Sequence, residues 1–340
     1  MSSVGLLLEV GVIVVTTGVI WFGSGWLEEA SDRLAAYYGL PQVVQGAIIS
    51  AVGSSMPELA AVVAAGLTGS LALGVGGIVG SAIFNVLVIP ALAGIVTDDD
   101  IESSRTIVYK EAQFYMLAVS VLLITFALGV IYYPVPGAPM EGTITRPLAL
   151  IPLGLYGLYI FIQYQDTAEH QPDEEGTGVD PRRQWVRLGI GLLAIIVAVH
   201  FLVESVSALG TEFGINQFLL GVTIIAGATS LPDALVSVRA ARQDRGVASV
   251  ANVLGSNTFD LLVAIPVGIM IVGDEAIDFA MAVPMFGVLT AATVGLFTVL
   301  RTDLSLSDGE AAGLLGIYAL FVGWVILETL DIAIDLLPNA

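Results

Sequence analysis

The sequence predicts an all-α membrane protein whose ten transmembrane helices form two inverted repeats of five helices each. Two observations support this fold class. Of the 340 residues, 56% are hydrophobic and only 12% are charged, a composition far too apolar for a soluble domain. In addition, the middle of each half carries the same pattern of polar residues inside apolar stretches, which indicates an internal repeat.

Ten apolar stretches remain when the chain is divided at charges and turn residues, and each approaches the length needed to cross a bilayer. The first has no basic leading region and no small-residue cleavage site, so we interpret it as a retained helix. The ten stretches are residues 4–26, 43–65, 71–96, 114–132, 147–164, 185–209, 218–238, 247–272, 277–300 and 311–330.

The positive charges predict the orientation. With ten helices and the amino terminus outside, ten of the eleven Lys and Arg residues fall in cytoplasmic loops or at their edges, and only Arg146 falls outside. Cytoplasmic loops of membrane proteins carry such an excess. We therefore expect a plasma-membrane protein with both termini on the extracellular side.

The remaining charge and the cysteine count restrict partners and surroundings. The net charge is −20, lies largely in loops, and is accompanied by a single lysine. An acidic surface repels nucleic acid and stays hydrated at high salt, so the sequence favours a salt-loving host and argues against a nucleic-acid partner. The absence of cysteine excludes disulfides and thiolate metal sites.

The two halves repeat one another. Shifting the sequence by 175 residues aligns residues 46–90 with residues 221–265 without a gap, placing GSSMPE on ATSLPD and GSAIFN on GSNTFD. Because five is an odd number, the second copy enters the membrane in the opposite sense. Inverted repeats of this kind form ion and substrate sites near the bilayer midplane, between discontinuous helices.

These repeats define the predicted domains. The first half comprises residues 1–164 and the second half residues 185–340, with the repeats proper near residues 43–96 and 218–272. Residues 165–184 join the halves as a cytoplasmic linker, flexible and acidic.

Each arm of the two repeat hairpins places a hydroxyl four residues before a carboxyl or carboxamide, so both groups share one helix face. Arms of roughly 18 Å return the polar clusters to the same depth, about half a bilayer. Such all-oxygen clusters suit hard cations such as Na⁺ and Ca²⁺. The pairs are Ser54 with Glu58, Ser81 with Asn85, Thr229 with Asp233, and Ser256 with Asp260, and Ser55, Ser230 and Asn257 lie nearby.

Prolines and glycines surround these positions. Pro57 and Pro232 directly precede two of the acids, and we expect each to free main-chain carbonyls that can turn toward a cation. The glycines of GVGGIVG, residues 74–80, we interpret as close-packing contacts rather than ligands. His200 and Glu204, four residues apart, we interpret as a structural pair.

On these motifs the chain resembles the sodium/calcium exchanger family of cation/Ca²⁺ antiporters over essentially its whole length. GSSMPEL with IVGSAIFN, and TSLPDAL with VLGSNTFD, carry the resemblance. It implies Na⁺-driven export of Ca²⁺ by alternating access, with Glu58 and Asp233 as central ligands and Asn85 and Asp260 flanking them. Na⁺ and Ca²⁺ are then substrates, and we expect no cofactor, no enzymatic activity and no obligate protein partner.

Some features depart from the family pattern and keep alternatives open. Ala228 stands where the second motif usually has glycine, and Asp233 replaces the glutamate of many microbial members. SLPD with GSNTFD looks like the potassium-dependent branch, which makes a K⁺-dependent exchanger one alternative and an H⁺/Ca²⁺ exchanger another. A cation channel is the alternative from a different class, whereas an intramembrane aspartyl protease is disfavoured because its GxGD signature is absent.

Overall fold

The computed structural model describes residues 3–39, 51–97, 101–102, 110–167, 179–242, 246–302 and 304–329. In this part of the chain, nine helices are long and apolar enough to cross a membrane, and the apolar helix Met56–Leu67 is shorter. Residues 43–50, the start of the predicted second span, lie outside the described residues. The predicted all-α membrane fold is confirmed.

We number the elements in chain order. The helices are α1 Ser3–Tyr37, α2 Ala51–Ser54, α3 Met56–Leu67, α4 Leu71–Val96, α5 Ala112–Tyr132, α6 Arg146–Thr167, α7 Pro181–Phe213, α8 Gln217–Leu220, α9 Ala226–Ala241, α10 Gly246–Phe259, α11 Ile265–Val272, α12 Phe279–Arg301 and α13 Asp308–Thr329. π-helical turns, Gly221–Ile225 and Asp260–Ala264, join α8 to α9 and α10 to α11. The short strands are β1 Ile101–Glu102, β2 Pro134–Val135, β3 Ala138–Ile144, β4 Glu275–Asp278 and β5 Ser305–Leu306.

Most helices continue beyond the apolar stretch that predicted them. For example, α1 runs on to Tyr37, through a charged turn in which Arg33 Nη2 donates to Glu29 Oε1 at 2.5 Å. Pairs at i, i+4 stabilise an exposed helix end. Hydropathy locates the part of a helix that lies in lipid, but not the point where the helix stops.

The segment that joins the halves is shorter than the predicted residues 165–184. Helix α6 continues through Thr167 and α7 begins at Pro181. Asp180 caps α7 by accepting from the main-chain N–H groups of Arg182 and Arg183, and Pro181 occupies the first turn, where its missing N–H is not needed. Residues 168–178 lie outside the described residues.

Two small antiparallel sheets connect the loops. β1 pairs with β5, with Ile101 opposite Leu306, and β3 pairs with both β2 and β4, with Gly142 opposite Ile277. In the ten-helix order, the loops of β1 and β5 fall on one face of the membrane and those of β2, β3 and β4 fall on the other. The pairing therefore agrees with the predicted helix order, although it does not say which face is cytoplasmic.

The strands also follow the inverted repeat. The same shift of 175 residues places Ile101 and Glu102 of β1 on Ala276 and Ile277 of β4. These equivalent strands lie on opposite faces of the membrane in the ten-helix order. Equivalent elements on opposite faces are what an inverted repeat requires.

The two halves meet backbone to backbone along α4. A Cβ atom added at Gly76 would lie 2.2 Å from the Phe218 carbonyl oxygen, and one added at Gly80 would lie 2.2 Å from the Val222 carbonyl oxygen. Small residues allow such close approach of membrane helices. The interpretation of these glycines as close-packing contacts is confirmed.

Helices α1 and α7 pack against each other at the outside of the bundle. A Cβ at Gly191 would lie 2.8 Å from the Gly23 carbonyl oxygen, and Arg187 Nη1 lies 3.4 Å from Glu29 Oε2. On the outer surface of α7, His200 Nε2 lies 3.6 Å from Glu204 Oε1, with both side chains about half exposed. These two residues form the predicted i, i+4 pair.

Candidate ion-binding site

The helix that carries Glu58 is interrupted immediately before it. α2 ends at Ser54, Ser55 has the non-helical angles φ −88° and ψ 7°, and α3 begins at Met56. Pro57 lies in the first turn of α3, a position where proline is tolerated because its missing N–H would have no partner. The predicted disturbance at Pro57 is therefore present as a break.

Pro232 behaves differently from Pro57. α9 runs unbroken from Ala226 to Ala241 with Pro232 inside it, and the irregularity lies upstream in the π-helical turn 221–225. Membrane helices tolerate an internal proline when neighbouring groups satisfy the freed backbone. The effect expected at Pro232 is thus limited to the carbonyl four residues earlier, that of Ala228, which has no proline N–H to bind.

All eleven side chains predicted from the sequence are buried, with exposed fractions of 1% or less. They lie on α2, α3, α4, α9 and α10, except that Ser55 lies between α2 and α3 and Asp260 opens the π-helical turn that follows α10. Irregular turns of this type are frequent at functional sites because they re-aim side chains. The buried residues are Ser54, Ser55, Glu58, Ser81, Asn85, Thr229, Ser230, Asp233, Ser256, Asn257 and Asp260.

Hydrogen bonds between the two repeats bring these residues into one cluster. The Ser54 and Ser256 hydroxyl oxygens lie 3.0 Å apart, and Ser230 Oγ donates to Ser81 Oγ at 2.7 Å. Further bonds continue the cluster to Glu58 and Asp233. Each repeat therefore supplies half of the cluster, at the interface where the two repeats meet.

The acids have few donors. Ser81 Oγ donates to Glu58 Oε1 at 3.4 Å, and Asn85 Nδ2 donates to Asp233 Oδ2 at 3.0 Å. Asp260 lies beside the Ser55 hydroxyl, but neither side chain reaches hydrogen-bond geometry with the other. The Thr229 hydroxyl instead donates to the Ile225 carbonyl of its own helix at 3.1 Å.

Several buried oxygen atoms of this cluster have no hydrogen-bond partner within the described ranges. None of its three carboxyls forms an ion pair with a described Lys, Arg or His. Burying such groups without compensation is costly. The oxygens are Ser55 Oγ, Glu58 Oε2, Asn85 Oδ1, Asp233 Oδ1, and both Oδ1 and Oδ2 of Asp260.

The spacing of the acids determines what the cluster can bind. Among the described residues, no three Asp, Glu, His or Cys side chains are grouped closely enough to hold a metal by themselves. Ligation would therefore need hydroxyl, amide and main-chain oxygens as well as carboxyls. Such a mixed, all-oxygen set fits hard cations, which accept neutral and anionic oxygens together.

Sequence analysis missed two groups that contact this cluster, the Ala82 carbonyl and the Tyr115 hydroxyl. Asn257 Nδ2 donates to the Ala82 carbonyl at 3.1 Å and to the Tyr115 hydroxyl at 3.2 Å. Tyr115 is fully buried on α5, outside both repeats. No sequence pattern could have found it, because a tyrosine at the start of an apolar helix is more often an interface residue.

The fold and the buried acidic cluster define a multi-pass membrane protein of the transporter class. The family model described as sodium/calcium exchanger protein matches residues 8–165 and 183–327. The chain belongs to this family, whose members are membrane cation exchangers.

Similarities to individual proteins agree with this assignment. An uncharacterized membrane protein of Methanocaldococcus jannaschii, MJ0091, is 28% identical over 279 residues, which cover 82% of this chain and 87% of the relative. The human sodium/potassium/calcium exchanger 4 is 40% identical over 75 residues, covering 22% of this chain and 12% of the relative. A solved structure of the sodium-calcium exchanger NCX_Mj has a TM-score of 0.63 at 20% identity, covering 94% of this chain and 99% of that one, which shows a shared fold.

Proposed function

We propose that the chain is a Na⁺/Ca²⁺ antiporter that exports Ca²⁺ across the plasma membrane on the Na⁺ gradient. The supporting observation is the group of three fully buried carboxyls, contributed by both repeats, that has no cationic partner within the described residues. Ca²⁺ requires dense anionic oxygen coordination. Family membership and the named activity of NCX_Mj favour Na⁺ as the exchanged ion.

We assign the ion contacts from the oxygens that remain available. We take Glu58 and Asp233 as the central ligands, as the family resemblance implies, and each has one oxygen without a described partner. Asn85 contributes its free Oδ1, and Asp260 flanks the site from the other repeat. The predicted hydroxyl ligands Ser54, Ser55, Ser81, Thr229, Ser230 and Ser256 complete the proposed set.

Asn257 takes a different place in this assignment. Its Nδ2 has two acceptors and its Oδ1 accepts from Asn85 Nδ2 at 3.0 Å. The sequence predicted it among the ligands, but its polar atoms are already engaged. We therefore place it behind the ligands, as a support.

The charge of this cluster favours exchange over uniport. Without cations, the buried carboxyls would have to face a low-dielectric interior unpaired, which is strongly unfavourable. The protein is thus expected to change its accessible side readily only when cations are bound. Export of Ca²⁺ then requires return with Na⁺, and inverted repeats provide two equivalent accessible states around one site.

The direct test is uptake of ⁴⁵Ca²⁺ into proteoliposomes that contain the purified chain. Uptake is expected with Na⁺ inside and none outside, and it should disappear when Na⁺ is equal on both sides. Uptake without any Na⁺ gradient would indicate a channel, and uptake driven by a pH gradient alone would indicate an H⁺/Ca²⁺ exchanger. Either result would refute the proposal.

The similarity to the human sodium/potassium/calcium exchanger 4 over 75 residues supports a second candidate, in which K⁺ is transported as well. Three ionised carboxyls leave one negative charge when Ca²⁺ is bound, and either a proton on Asp260 or a bound K⁺ would balance it. We favour the proton, since it needs no further ligands.

On that hypothesis, Asp260→Asn should retain Ca²⁺ transport, because the third charge is no longer present to be balanced. Its rate should respond less to pH than the wild type and should not depend on K⁺. Transport is measured across a pH series with and without K⁺, and Glu204→Gln, which removes the half-exposed acid that lies beside His200, is the control. A wild type that requires K⁺, together with a mutant that does not, would contradict the proton hypothesis.

The predicted orientation has its own test, which the natural lack of cysteine makes clean. A cysteine replacing Thr177 should resist an impermeant maleimide in intact cells, because the linker is expected in the cytoplasm. A cysteine replacing Met140, which is 48% exposed on β3, should be labelled. The reverse pattern would overturn the orientation.

A further inference from the structure

The side chain of Asn257 is held in one orientation by its neighbours. The Ala82 carbonyl can only accept a hydrogen bond, so the atom 3.1 Å from it must be the donor Nδ2. Oδ1 then lies at the opposite end of the amide, where it accepts from Asn85 Nδ2 at 3.0 Å. A rotated amide would place two acceptors in contact, which is unfavourable.

The fixed orientation of Asn257 in turn fixes the orientation of the Asn85 amide. Asn85 Nδ2 donates both to Asn257 Oδ1 and to Asp233 Oδ2, so its two donor hydrogens are used. Asn85 Oδ1 is buried and has no hydrogen-bond partner among the described residues, so it remains available as a ligand. In an amide the oxygen can bind a hard cation and the NH₂ group cannot, so the orientation of Asn85 decides whether this residue can serve as a ligand.

Tyr115 lies at the end of this chain of hydrogen bonds that is farther from Asp233. Its hydroxyl accepts from Asn257 Nδ2 at 3.2 Å, and the Thr293 hydroxyl of α12 lies beside it. Thr293 Oγ1 donates its own hydrogen to the Leu289 carbonyl at 2.7 Å, which leaves its oxygen to accept from Tyr115. Donation therefore runs from Asn85 through Asn257 to Tyr115, and Asn85 also donates to Asp233.

We propose that Tyr115 is a positioning residue of the ion site, which acts through Asn257 to keep the Asn85 carbonyl oxygen turned toward the bound cation. The proposal rests on the proposed ion-exchange function. It assigns to α5, a helix that supplies none of the predicted ligands, a part in determining affinity for Ca²⁺. Tyr115 does not touch the ion in this assignment.

The test is Tyr115→Phe, which removes one oxygen and keeps the buried ring. Asn257 Nδ2 would lose one of its two acceptors and be held by the Ala82 carbonyl alone, so the amide should be less firmly fixed and the KM for Ca²⁺ should rise by about three- to tenfold with little change in the maximal rate. Tyr159→Phe is the matched control, because Tyr159 is also buried and its hydroxyl donates to Glu111 Oε2 at 3.1 Å. An unchanged KM in Tyr115→Phe, or an equal rise in Tyr159→Phe, would overturn the proposal.

A double variant separates positioning from general stability. Asn257→Ala removes the residue through which Tyr115 acts, so adding Tyr115→Phe should not raise the KM further. If the two effects multiply, Tyr115 acts by another route and the proposal fails.

Thermal stabilisation by Ca²⁺ alone, measured on the purified proteins, distinguishes this inference from the proposed function. If Ca²⁺ stabilises the wild type more than Tyr115→Phe but no Na⁺-driven uptake occurs, the exchange function is wrong and the positioning role stands. If uptake occurs but both proteins are stabilised equally at every Ca²⁺ concentration, the positioning role is wrong. If Ca²⁺ has no effect on the wild type and no uptake occurs, both are refuted.

Discussion

Replacing Glu58 by Gln, or Asp233 by Asn, is expected to lower Na⁺-dependent Ca²⁺ uptake by roughly a hundredfold or more, because Ca²⁺ loses one of its anionic ligands. Initial rates of ⁴⁵Ca²⁺ uptake in proteoliposomes measure the effect. Glu328→Gln is the matched control, since Glu328 is also a buried acid, at 5% exposure, but accepts from Trp324 Nε1 at 2.8 Å. Wild-type rates in either central variant would show that the ions bind elsewhere.

The same variants should be at least as stable as the wild type when Na⁺ and Ca²⁺ are removed. Neutralising a buried carboxyl that has no cationic partner relieves an unfavourable charge. Unfolding temperatures without ions should therefore be unchanged or higher, while stabilisation by added Ca²⁺ should be lost. A lowered unfolding temperature without ions would instead assign these acids a role in holding the fold.

Replacing Gly80 by Ala is expected to impair folding strongly. The new Cβ would lie 2.2 Å from the Val222 carbonyl oxygen and 2.6 Å from the Val222 Cα, and neither backbone atom can move as a side chain could. Overpacking of this kind should cost roughly 3 kcal/mol or more of folding free energy. The yield of monodisperse protein and its unfolding temperature report the loss.

Gly287→Ala on α12 provides the comparison, because a Cβ there meets nothing within 4 Å. It should be neutral or slightly stabilising, since alanine favours helix over glycine. If Gly80→Ala is as stable as Gly287→Ala, the halves do not meet as closely at Val222 as the structure shows.

Much of this fold could be predicted from the sequence because membrane helices obey simple rules. For example, the apolar stretch predicted for α4, residues 71–96, has the same limits as the observed helix. The repeated hydroxyl and acid spacing anticipated that Ser54 and Ser256, which are far apart in sequence, would meet. These features depend on local composition and on symmetry, and both are visible in one sequence.

Other features depend on tertiary contacts and could not be predicted. Pro57 and Pro232 occupy equivalent positions, yet only the first coincides with a helix break, because the surroundings decide how a freed carbonyl is satisfied. The bond between Asn257 and Tyr115 joins residues from different helices with no shared pattern. The π-helical turn that Asp260 opens likewise has no signature in composition.

The strand pairings restrict how the protein can move as a mechanical body. Helix α12 has a strand at each end, and both strands pair with the first half: β5 with β1 on one face, and β4 with β3 on the other. The strand pairings thus connect the two halves at both membrane faces. We therefore do not expect the halves to separate widely at either face. In the described part of the chain, α1 and α7 carry no such tie. We therefore expect α1 and α7 to move relative to the rest of the protein, while α12 and the helices connected to it through the paired strands stay in place.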